Sequence, residues 1–438
     1  MLRPGRASPG VAPGAVVTPA GTADRGRTVQ RDPVRILLIH NWYRERGGED
    51  TVVLTEIDLL RQDGHEVTVF DADSSTITTL AQKVSVALTM AYSTGVRQRV
   101  REELERVQPD IVHVHNVFPL LTPSVFDACA AAEVPVVLTL HNFRLLCPAA
   151  TCMRNGHPCV LCAETTVLNA VRYRCYRGSI PASSAAAWMV ALSRYRGSFE
   201  AHVDRFVALS EFGRRLFVRA GLPADRIDVK PDAVRDPFPD GSPPAGAERG
   251  RHALFLGRLV PEKGVITMLR AWRHVPIPLR VAGAGPLDAR VRAAEAASGG
   301  RIRYLGFLPQ KQVSEELRTA SFVVVPSEWY EGFGVVIAEA FAHGVPVLAS
   351  RLGSIDEVVA DGRTGLLFSP GDSVDLAAKA RWLARHPAQR EAMGRVARRE
   401  FEQKYTLQRN YELLMAIYDR ALATRRDRLA AAHPADGG

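Results

Sequence analysis

The sequence predicts an α/β protein with two doubly wound parallel sheets, and three observations lead to this class. Short apolar runs alternate with helical patterns, as in buried parallel strands that are joined by crossover helices. The alternation stops near residues 231–250, where Pro, Gly, Asp and Ala dominate, and then restarts, which indicates a linker between two units. The chain of 438 residues is long enough for roughly two or three domains.

Composition narrows the class of protein. Apolar residues make up 46% and charged residues 24% of the chain, which excludes a collagen-like or largely disordered protein. No apolar run reaches the length of a membrane-spanning helix, and the N-terminus lacks the apolar core of a secretory signal, so we expect a cytoplasmic protein. The net charge of +9 suits anionic partners without identifying one. We expect no nucleic-acid partner, because no basic module with interleaved aromatic residues is evident.

The first unit is expected to span residues 34–222, after a disordered tail at 1–33. Its first predicted strand is followed by a loop with Gly47 and Gly48 and then by a helical pattern. The strands predicted for this unit are residues 35–40, 65–70, 111–115, 134–140 and 205–209.

A linker at 223–250 leads to the second unit, which is expected at 251–405. The strands predicted for this unit are residues 253–256, 279–282, 302–305, 322–325 and 345–349, with a short edge strand at 366–368. A helical pattern at 406–425 is expected to pack back across the junction, before a disordered tail at 426–438. Two such units place a cleft between their strand ends, where one ligand can contact both.

The most informative motif is PSEWYEGFG at residues 326–334, which follows a predicted strand and leads into a helical pattern. At the start of that helix the N–H groups of Phe333, Gly334 and Val335 have no helical acceptor. The two glycines of the motif let a phosphate approach the backbone closely. The motif therefore predicts a phosphate site at this helix end.

Two glutamates eight residues apart belong to the same region. Glu331 lies in the loop at the cleft, and Glu339 lies in the second turn of the helix, where a carboxylate can accept both hydroxyls of a ribose. The alternative interpretation is that both are solvated surface carboxylates.

A second motif, GRLVPEKG at residues 257–264, also follows a strand and precedes a helix. It places Arg258 and Lys263 in one loop, and their guanidinium and ammonium groups are suited to neutralising a diphosphate. After the next strand, Gly283 and Gly285 form a turn whose backbone can lie against a nucleotide base.

In this order and spacing, the motifs resemble the retaining glycosyltransferases of the GT-B fold, family 4, also described as glycosyl transferases group 1. The resemblance runs from about residue 35 to about residue 418, and its most specific part is the E-x7-E pattern at Glu331 and Glu339. It implies two Rossmann-like domains that face a central cleft. It also implies transfer of a sugar from a UDP- or GDP-sugar to an acceptor hydroxyl.

The resemblance implies roles for the donor-site residues. Arg258 and Lys263 match the cations that contact the donor pyrophosphate and support catalysis. Glu339 matches the ligand of the donor ribose, and Glu331 matches the carboxylate near the transferred sugar. Two cations and a helix end supply what a divalent ion otherwise would, so we expect no cofactor for catalysis.

Further residues match the family elsewhere in the cleft. Gly47 and Gly48 look like its glycine loop near the donor phosphates and acceptor, and His141 looks like its catalytic histidine close to the sugar. One departure is Ser354, where relatives often have the second glycine of Gly-Gly-x-x-Glu before Glu357. Serine is small, so we expect the loop to survive.

Two residue clusters have a less specific meaning. His113 and His115 alternate with valines and therefore share one face of a strand. They are interpreted either as a metal or catalytic pair or as buried structural histidines. Cys147, Cys152, Cys159 and Cys162, with Cys175 nearby, predict either a structural zinc site or free cysteines that pack in the fold.

A basic segment at 172–219 holds nine arginines and three acidic residues beside an apolar stretch with Trp188 and Met189. Such a segment can bind an anionic lipid surface at the inner face of the cell membrane, or it can be an ordinary solvated helix face. It favours a saccharide or lipid-linked acceptor in envelope or exopolysaccharide synthesis.

The alternative functions are a nucleotide-sugar epimerase or phosphorylase on the same fold, or a nucleotide-sugar-binding scaffold without turnover.

Overall fold

The computed structural model describes residues 32–44, 47–239, 241, 250 and 252–432. The disordered tails predicted at 1–33 and 426–438 lie outside these residues, except for 32–33 and 426–432. None of the described helices combines the length and apolarity that a membrane span needs.

The described elements follow one another in an alternating order. The strands are β1 (Arg35–Trp42), β2 (Glu66–Asp73), β3 (Ile111–Asn116), β4 (Val136–Leu140), β5 (Met153–Arg154), β6 (His157–Pro158), β7 (Arg205–Ala208), β8 (Ile227–Val229), β9 (Ala253–Leu256), β10 (Leu279–Ala282), β11 (Ile302–Gly306), β12 (Phe322–Val325), β13 (Val347–Ser350) and β14 (Gly365–Phe368). The helices are α1 (Gly48–Gln62), α2 (Leu80–Thr89), α3 (Thr94–Val107), α4 (Ser124–Ala131), α5 (Leu161–Glu164), α6 (Leu168–Arg172), α7 (Ile180–Tyr195), α8 (Ser198–His202), α9 (Glu211–Arg219), α10 (Val265–Ala271), α11 (Asp288–Ala297), α12 (Gln310–Thr319), α13 (Val335–Ala342), α14 (Ser354–Val358), α15 (Ser373–Arg385), α16 (Pro387–Lys404) and α17 (Leu407–Ala432).

Two parallel sheets of six strands form the framework, which confirms the predicted two-sheet α/β architecture. Their strand orders are β2-β1-β3-β4-β7-β8 and β11-β10-β9-β12-β13-β14. The strand order reverses between β1 and β3 in the first sheet and between β9 and β12 in the second. Ligands of open parallel sheets bind at the carboxyl ends of strands beside such reversals. The loops after β1, β9 and β12, which carry the predicted site residues, lie at these positions.

Burial on both faces explains why the strands were readable as apolar runs. Every residue of β3, β4, β12 and β13 is buried. Helices cover both faces of a parallel sheet, so its central strands have no solvent-facing side to alternate toward.

The boundary predicted at residue 222 is wrong, because the first sheet continues through β8. This strand pairs in parallel with β7, from Phe206–Ile227 to Ala208–Val229. It has only three residues and lies between Pro223 and Pro231, so it resembled part of the linker.

The last helix packs back on the first sheet, as predicted. Tyr418 and Leu414 of α17 lie in one buried cluster with Ile36, Val137 and Val207 of three strands of the first sheet.

The predicted end of this helix at residue 425 is wrong, because α17 continues to Ala432. Its last turns carry many arginines and little apolar periodicity, which resembled a solvated tail. Those arginines have partners in the first domain, just before β4 and β7: Arg425 donates to the Val134 carbonyl at 2.7 Å, and Arg428 lies 2.9 Å from the buried Asp204.

The basic segment is only partly a free cationic surface. Five of its nine arginines bond to acceptors within the fold, namely Arg194, Arg196, Arg205, Arg214 and Arg219. Four are exposed and have no acidic partner among the described residues, namely Arg172, Arg174, Arg177 and Arg215. Met189 is buried in the core, whereas Trp188 is 59% exposed. The fold therefore does not form a patch of nine free arginines beside an exposed Met189.

Candidate active site

The two domains come into contact where the loop after β12 approaches the loop after β4. A Cβ atom on Gly332 would lie 2.8 Å from the carbonyl oxygen of His141, so only glycine allows this close approach. The Ser210 hydroxyl donates to the Gly332 carbonyl at 3.2 Å. The structure thus brings the predicted His141 beside the loop that carries Glu331, at the junction of the two domains.

The buried Glu331 pairs with the partly exposed Lys263. The Lys263 Nζ atom donates to Glu331 Oε1 at 2.6 Å, and the Ser327 hydroxyl donates to the same oxygen at 2.6 Å. Burial alone would raise the pKa of Glu331, but the Lys263 charge and these hydrogen bonds bring it below its ordinary value. Glu331 is therefore a carboxylate at neutral pH. Lys263 is partly exposed and has three N–H donors, so it can also contact an anion in the cleft.

Arg258 lies in the same loop as Lys263. Its side chain is exposed, and no hydrogen bond or ion pair joins its guanidinium group to a described residue. The loop thus carries one paired and one free cation at the carboxyl end of β9.

Close backbone packing explains two glycines of this region. A Cβ atom on Gly264 would lie 1.7 Å from the Pro326 carbonyl oxygen, and one on Gly283 would lie 1.8 Å from the Gly257 carbonyl oxygen. These contacts hold the loops after β9, β10 and β12 together. Gly285 donates its N–H to Asp288 at 2.8 Å. Contact of Gly283 and Gly285 with a nucleotide base stays a prediction.

The helix that follows β12 begins as predicted. Gly334 is the N-cap of α13 with φ of +95°, and Glu339 lies in the second turn. The N–H groups of Phe333, Gly334 and Val335 make no hydrogen bond to a described residue. Glu339 is half-buried and accepts from the Gln310 amide at 3.0 Å, and burial raises its pKa.

His141 is held from behind by a second histidine. Its Nε2 atom lies 2.9 Å from Nδ1 of His115, whose Nε2 lies 3.2 Å from Glu56 Oε1. Burial lowers the pKa of both histidines, that of His115 to about 3, so both rings are neutral at pH 7. A ring proton facing the Glu56 carboxylate is favoured over a lone pair, which leaves His115 Nδ1 to accept the Nε2–H of His141. The Nδ1 atom of His141 is then an acceptor.

Glu56 is the centre of this buried network. Lys230 Nζ donates to Glu56 Oε2 at 2.9 Å and to Asn410 of α17 at 3.1 Å. His113 Nδ1 lies 3.1 Å from Glu56 Oε1, and its Nε2 bonds to the Thr139 hydroxyl at 2.8 Å. The geometry agrees with the interpretation of His113 as a buried structural histidine that shares a face with its neighbour two residues on.

Within the described residues, Glu56, His113 and His115 are the one group of three metal-ligating side chains whose ligand atoms are closely spaced. The ammonium group of Lys230 already neutralises the Glu56 carboxylate from its other oxygen. We assign this network to positioning of His141, although Glu56 Oε1 and His115 Nε2 are buried without a hydrogen-bond partner among the described residues.

Gly47 and Gly48 begin α1 beside open space. Gly47 is the N-cap and donates its N–H to Asp50 at 3.0 Å, and Asp50 in turn accepts from His40 at 3.0 Å. A Cβ atom on either glycine would meet no atom of another described residue within 4 Å. There is room for a ligand here, and the contact itself stays a prediction.

One carboxyl group on this side of the cleft was not predicted from the sequence. Glu49 accepts from the Tyr43 hydroxyl at 2.9 Å and lies 3.5 Å from the amide of Asn142, the neighbour of His141. Burial raises the pKa of Glu49 to about 8. Its Oε1 atom is buried and has no hydrogen-bond partner among the described residues. Its place directly after Gly48 was the available signal.

Ser354, the predicted departure from the family pattern, fits its loop. Its hydroxyl donates to the Glu331 carbonyl at 2.8 Å, and its side chain is fully buried. Three residues on, Glu357 accepts from the backbone N–H groups of Glu211 at 2.8 Å and Phe212 at 2.7 Å. Since these N–H groups begin α9 of the first domain, Glu357 joins the two domains, which the sequence did not reveal.

The cysteine loop is folded around the hairpin of β5 and β6, which was not predicted. The Cys159 N–H donates to the Cys152 carbonyl at 2.6 Å across this hairpin. A hydrogen bond from Cys152 lowers the pKa of Cys147 to about 6, and all of these thiols are free. No three described thiols have their sulfurs close enough together for a preformed metal site. Zinc binding by Cys147, Cys152, Cys159 and Cys162 stays a prediction.

Comparison with known proteins identifies relatives of both halves. The family model Glycosyltransferase Family 4 matches residues 46–236, and the model Glycosyl transferases group 1 matches residues 244–400. The chain is 31% identical to D-rhamnosyltransferase WbpZ of Pseudomonas aeruginosa over 179 residues, which cover 38% of this chain and 47% of that protein. It is 26% identical to a phosphatidyl-myo-inositol mannosyltransferase of Mycobacterium leprae over 363 residues, or 79% and 86% of the two chains.

Solved structures share the fold. HepE of Anabaena in complex with UDP has a TM-score of 0.62 and 18% identity, and the match covers 88% of this chain and all of that one. Sucrose-phosphate synthase of Thermosynechococcus elongatus has a TM-score of 0.63 and 19% identity, with 92% and 100% covered. The chain also matches a Methanocaldococcus jannaschii glycosyltransferase at 31% identity over 38% of the present chain. In both this match and the WbpZ match, the chain spans about half the length of the relative.

The fold and the motifs agree with these matches. Each half of the chain matches a glycosyltransferase family model, the E-x7-E motif runs from the loop after β12 into α13, and the whole architecture matches solved GT-B structures. The chain belongs to the group 1 glycosyltransferases of the GT-B fold.

Proposed function

We propose that this protein transfers a sugar from a nucleoside-diphosphate sugar to an acceptor hydroxyl, with retention of configuration at the anomeric carbon. The observation that carries the proposal is the arrangement of the cleft. Arg258, Lys263 and the start of α13 lie on one side, and His141 lies on the other. Cations and free N–H groups suit a diphosphate, whereas a neutral histidine acceptor suits a sugar hydroxyl.

The chemistry follows from where charge develops. Breaking the bond between the sugar C1 and the diphosphate oxygen puts negative charge on the diphosphate and positive charge on the sugar. Arg258 and Lys263 stabilise the leaving group by fixed electrostatics, without a catalytic cofactor. The ionised Glu331 belongs to the same loop system and can face the sugar. The family resemblance favours attack on the face that the diphosphate leaves, without an obligatory covalent enzyme intermediate.

The donor is proposed to be a UDP- or GDP-sugar. Support for a uridine nucleotide comes from HepE, whose solved structures hold UDP and UDP-glucose. Glu339, on the first helix after the motif, is the proposed ligand of the ribose hydroxyls.

The acceptor is proposed to be a saccharide or a lipid-linked molecule in envelope or exopolysaccharide synthesis. Support comes from the names of relatives, which include a phosphatidyl-myo-inositol mannosyltransferase and a lipopolysaccharide galactosyltransferase. The proposal includes a cytoplasmic protein that meets its acceptor at the inner face of the membrane.

The test is incubation of the protein with a panel of nucleotide sugars in the absence of acceptor. Slow release of nucleoside diphosphate from one donor identifies it, and proton NMR of the first sugar released shows whether the anomeric configuration is retained. A changed nucleotide sugar without hydrolysis would indicate an epimerase. Sugar phosphate formed with inorganic phosphate would indicate a phosphorylase. Donor binding without any turnover, even with added acceptors, would indicate a scaffold.

A further inference from the structure

Helix α2 leaves an apolar face uncovered. Leu80 and Leu88 are each 76% exposed, and Val84 between them is 52% exposed. Residues four apart lie on the same side of a helix, so these three side chains form one stripe. Globular proteins seldom expose large aliphatic side chains in a row, because water contact with each is unfavourable.

The helix is nevertheless well formed and attached. Thr79 caps its N-terminus in a capping box with Gln82. Its other end packs into the protein: Met90 is buried with Met189 of α7, and Val86 packs against the same cluster. The exposed stripe is thus the outer face of an anchored helix.

Helix α7 packs against α2 and carries further exposed apolar side chains. Trp188 is 59% exposed and Tyr195 is 90% exposed, seven residues or two helical turns apart. Ile180 at the start of α7 is 48% exposed. We refer to the exposed residues of α2 and α7 together as the α2–α7 surface.

The charge around this surface is positive. Helix α2 contains Lys83 and no acidic residue. Arg172, Arg174 and Arg177, in the segment that leads into α7, are exposed and have no acidic partner among the described residues. Aliphatic and tryptophan side chains flanked by unpaired cations match the acyl and headgroup layers of an anionic lipid surface.

We propose that the α2–α7 surface docks on an anionic membrane. The inference rests on the proposed function and deepens it by naming the surface that would meet the membrane, and its evidence is exposure and charge and not donor chemistry. It also replaces the broad basic segment with a smaller surface, since most of the other arginines there are engaged within the fold. The 3₁₀ turn that joins β2 to α2 contacts the end of β1 through Ser74 and Asn41 at 2.8 Å. The docking helix therefore begins at the cleft edge of the first sheet.

The test is co-sedimentation of the full chain with vesicles of phosphatidylcholine, with and without phosphatidylglycerol, at low and high salt. We expect binding to be roughly tenfold or more stronger with phosphatidylglycerol, and to weaken with salt. The variant L80Q/L88Q should lose most binding to anionic vesicles at any salt. The variant R172Q/R174Q/R177Q should lose mainly the salt-dependent part.

A matched control is F307Q/V374Q, which removes two side chains that are 78% and 74% exposed elsewhere in the protein. It should bind as the wild type does. All of these side chains are exposed, so thermal unfolding and donor hydrolysis should be unchanged without vesicles. If donor hydrolysis is absent in every variant and in the wild type, the proposed function fails while vesicle binding still tests the surface.

Three outcomes would overturn the inference. The first is a wild type that does not bind anionic vesicles at low salt. The second is an L80Q/L88Q variant that binds as well as the wild type. The third is a concentration-dependent dimer that L80Q/L88Q abolishes while vesicle binding persists, because a second copy of the chain would then cover the surface.

Discussion

At the scale of single residues, the two cations of the β9 loop differ in what they already contact. Lys263 neutralises the buried Glu331, whereas Arg258 has no described partner. Removing the first leaves a buried carboxylate without its counter-ion, and removing the second leaves the fold unchanged. The two residues therefore separate structural support from anion binding.

We expect Arg258→Ala to lower turnover of the donor by roughly 10- to 150-fold, the equivalent of a lost charge-assisted contact of about 1.5–3 kcal/mol. Its unfolding temperature should stay at the wild-type value. Lys263→Ala should lower both turnover and stability, because Glu331 would stay buried without its counter-ion, at a cost of up to about 3–5 kcal/mol. Steady-state kinetics and thermal unfolding measure both, with the exposed Arg273→Ala as control. A normal rate for both variants would contradict the phosphate assignment.

Glu49 gives a prediction on stability and pH. Its pKa of about 8 in the folded protein lies above its ordinary value, so folding takes up a proton across the intervening pH range. Stability from this group is therefore lost as pH rises toward 8. The free energy of unfolding of Glu49→Gln should therefore rise relative to that of the wild type as pH increases. We expect this relative gain to be on the order of 2 kcal/mol between about pH 5 and pH 8.

Urea unfolding at several pH values measures this difference. The exposed Glu315→Gln serves as control and should show no such trend. If the stability difference between Glu49→Gln and the wild type stays constant with pH, the carboxyl is ionised in the folded protein and the proposed protonation state is wrong.

At the scale of elements, the cysteine loop carries a separate proposal. We propose that Cys147, Cys152, Cys159 and Cys162 hold a structural zinc ion, which would draw their sulfurs closer together than they lie in the described fold, with the β5–β6 hairpin between the second and third ligands. Elemental analysis of protein purified without added metal should find about one zinc per chain, and chelation should lower the unfolding temperature. Protein without zinc, with every thiol open to titration, would contradict this proposal.

Elements were predictable from the sequence where burial alone determines the pattern. The strands β1, β9 and β12 were found because both of their faces are covered, which makes them continuous apolar runs. The three-residue β8 and the two-residue strands of the hairpin are too short for any periodicity to show. The end of α17 was missed because arginine pairs with Asp204, and not apolar packing, hold it in place.

The site divides in the same way. Glu331 and Gly334 belong to one short motif after a strand, and Lys263 belongs to another. The spacing within each motif was therefore enough to find them. Glu56 and Lys230 are 174 residues apart and meet only in the fold, at 2.9 Å. No local pattern marks such a pair, because its chemistry depends on which elements the topology brings together.

At the scale of the whole molecule, Glu357 links the two domains through the start of α9. We expect Glu357→Ala to loosen this link, since it removes two hydrogen bonds from a charged acceptor, each worth about 1.5–3 kcal/mol. Hydrogen exchange at Glu211 and Phe212 should become faster, and donor turnover should fall. Asp356→Ala, on the same helix and paired with Arg351, is the control and should change neither. If hydrogen exchange at Glu211 and Phe212 were unchanged in Glu357→Ala, Glu357 would not be the link between the two domains.

The return of α17 to the first sheet has a consequence for synthesis on the ribosome. The strand residues Ile36, Val137 and Val207 are made before the second domain, but Leu414 and Tyr418, which cover them, are made after it. The nascent first domain therefore carries an uncovered apolar face throughout translation of the second. Chaperone dependence and aggregation of truncated translation products should follow from chain order alone, independently of how stable the finished protein is.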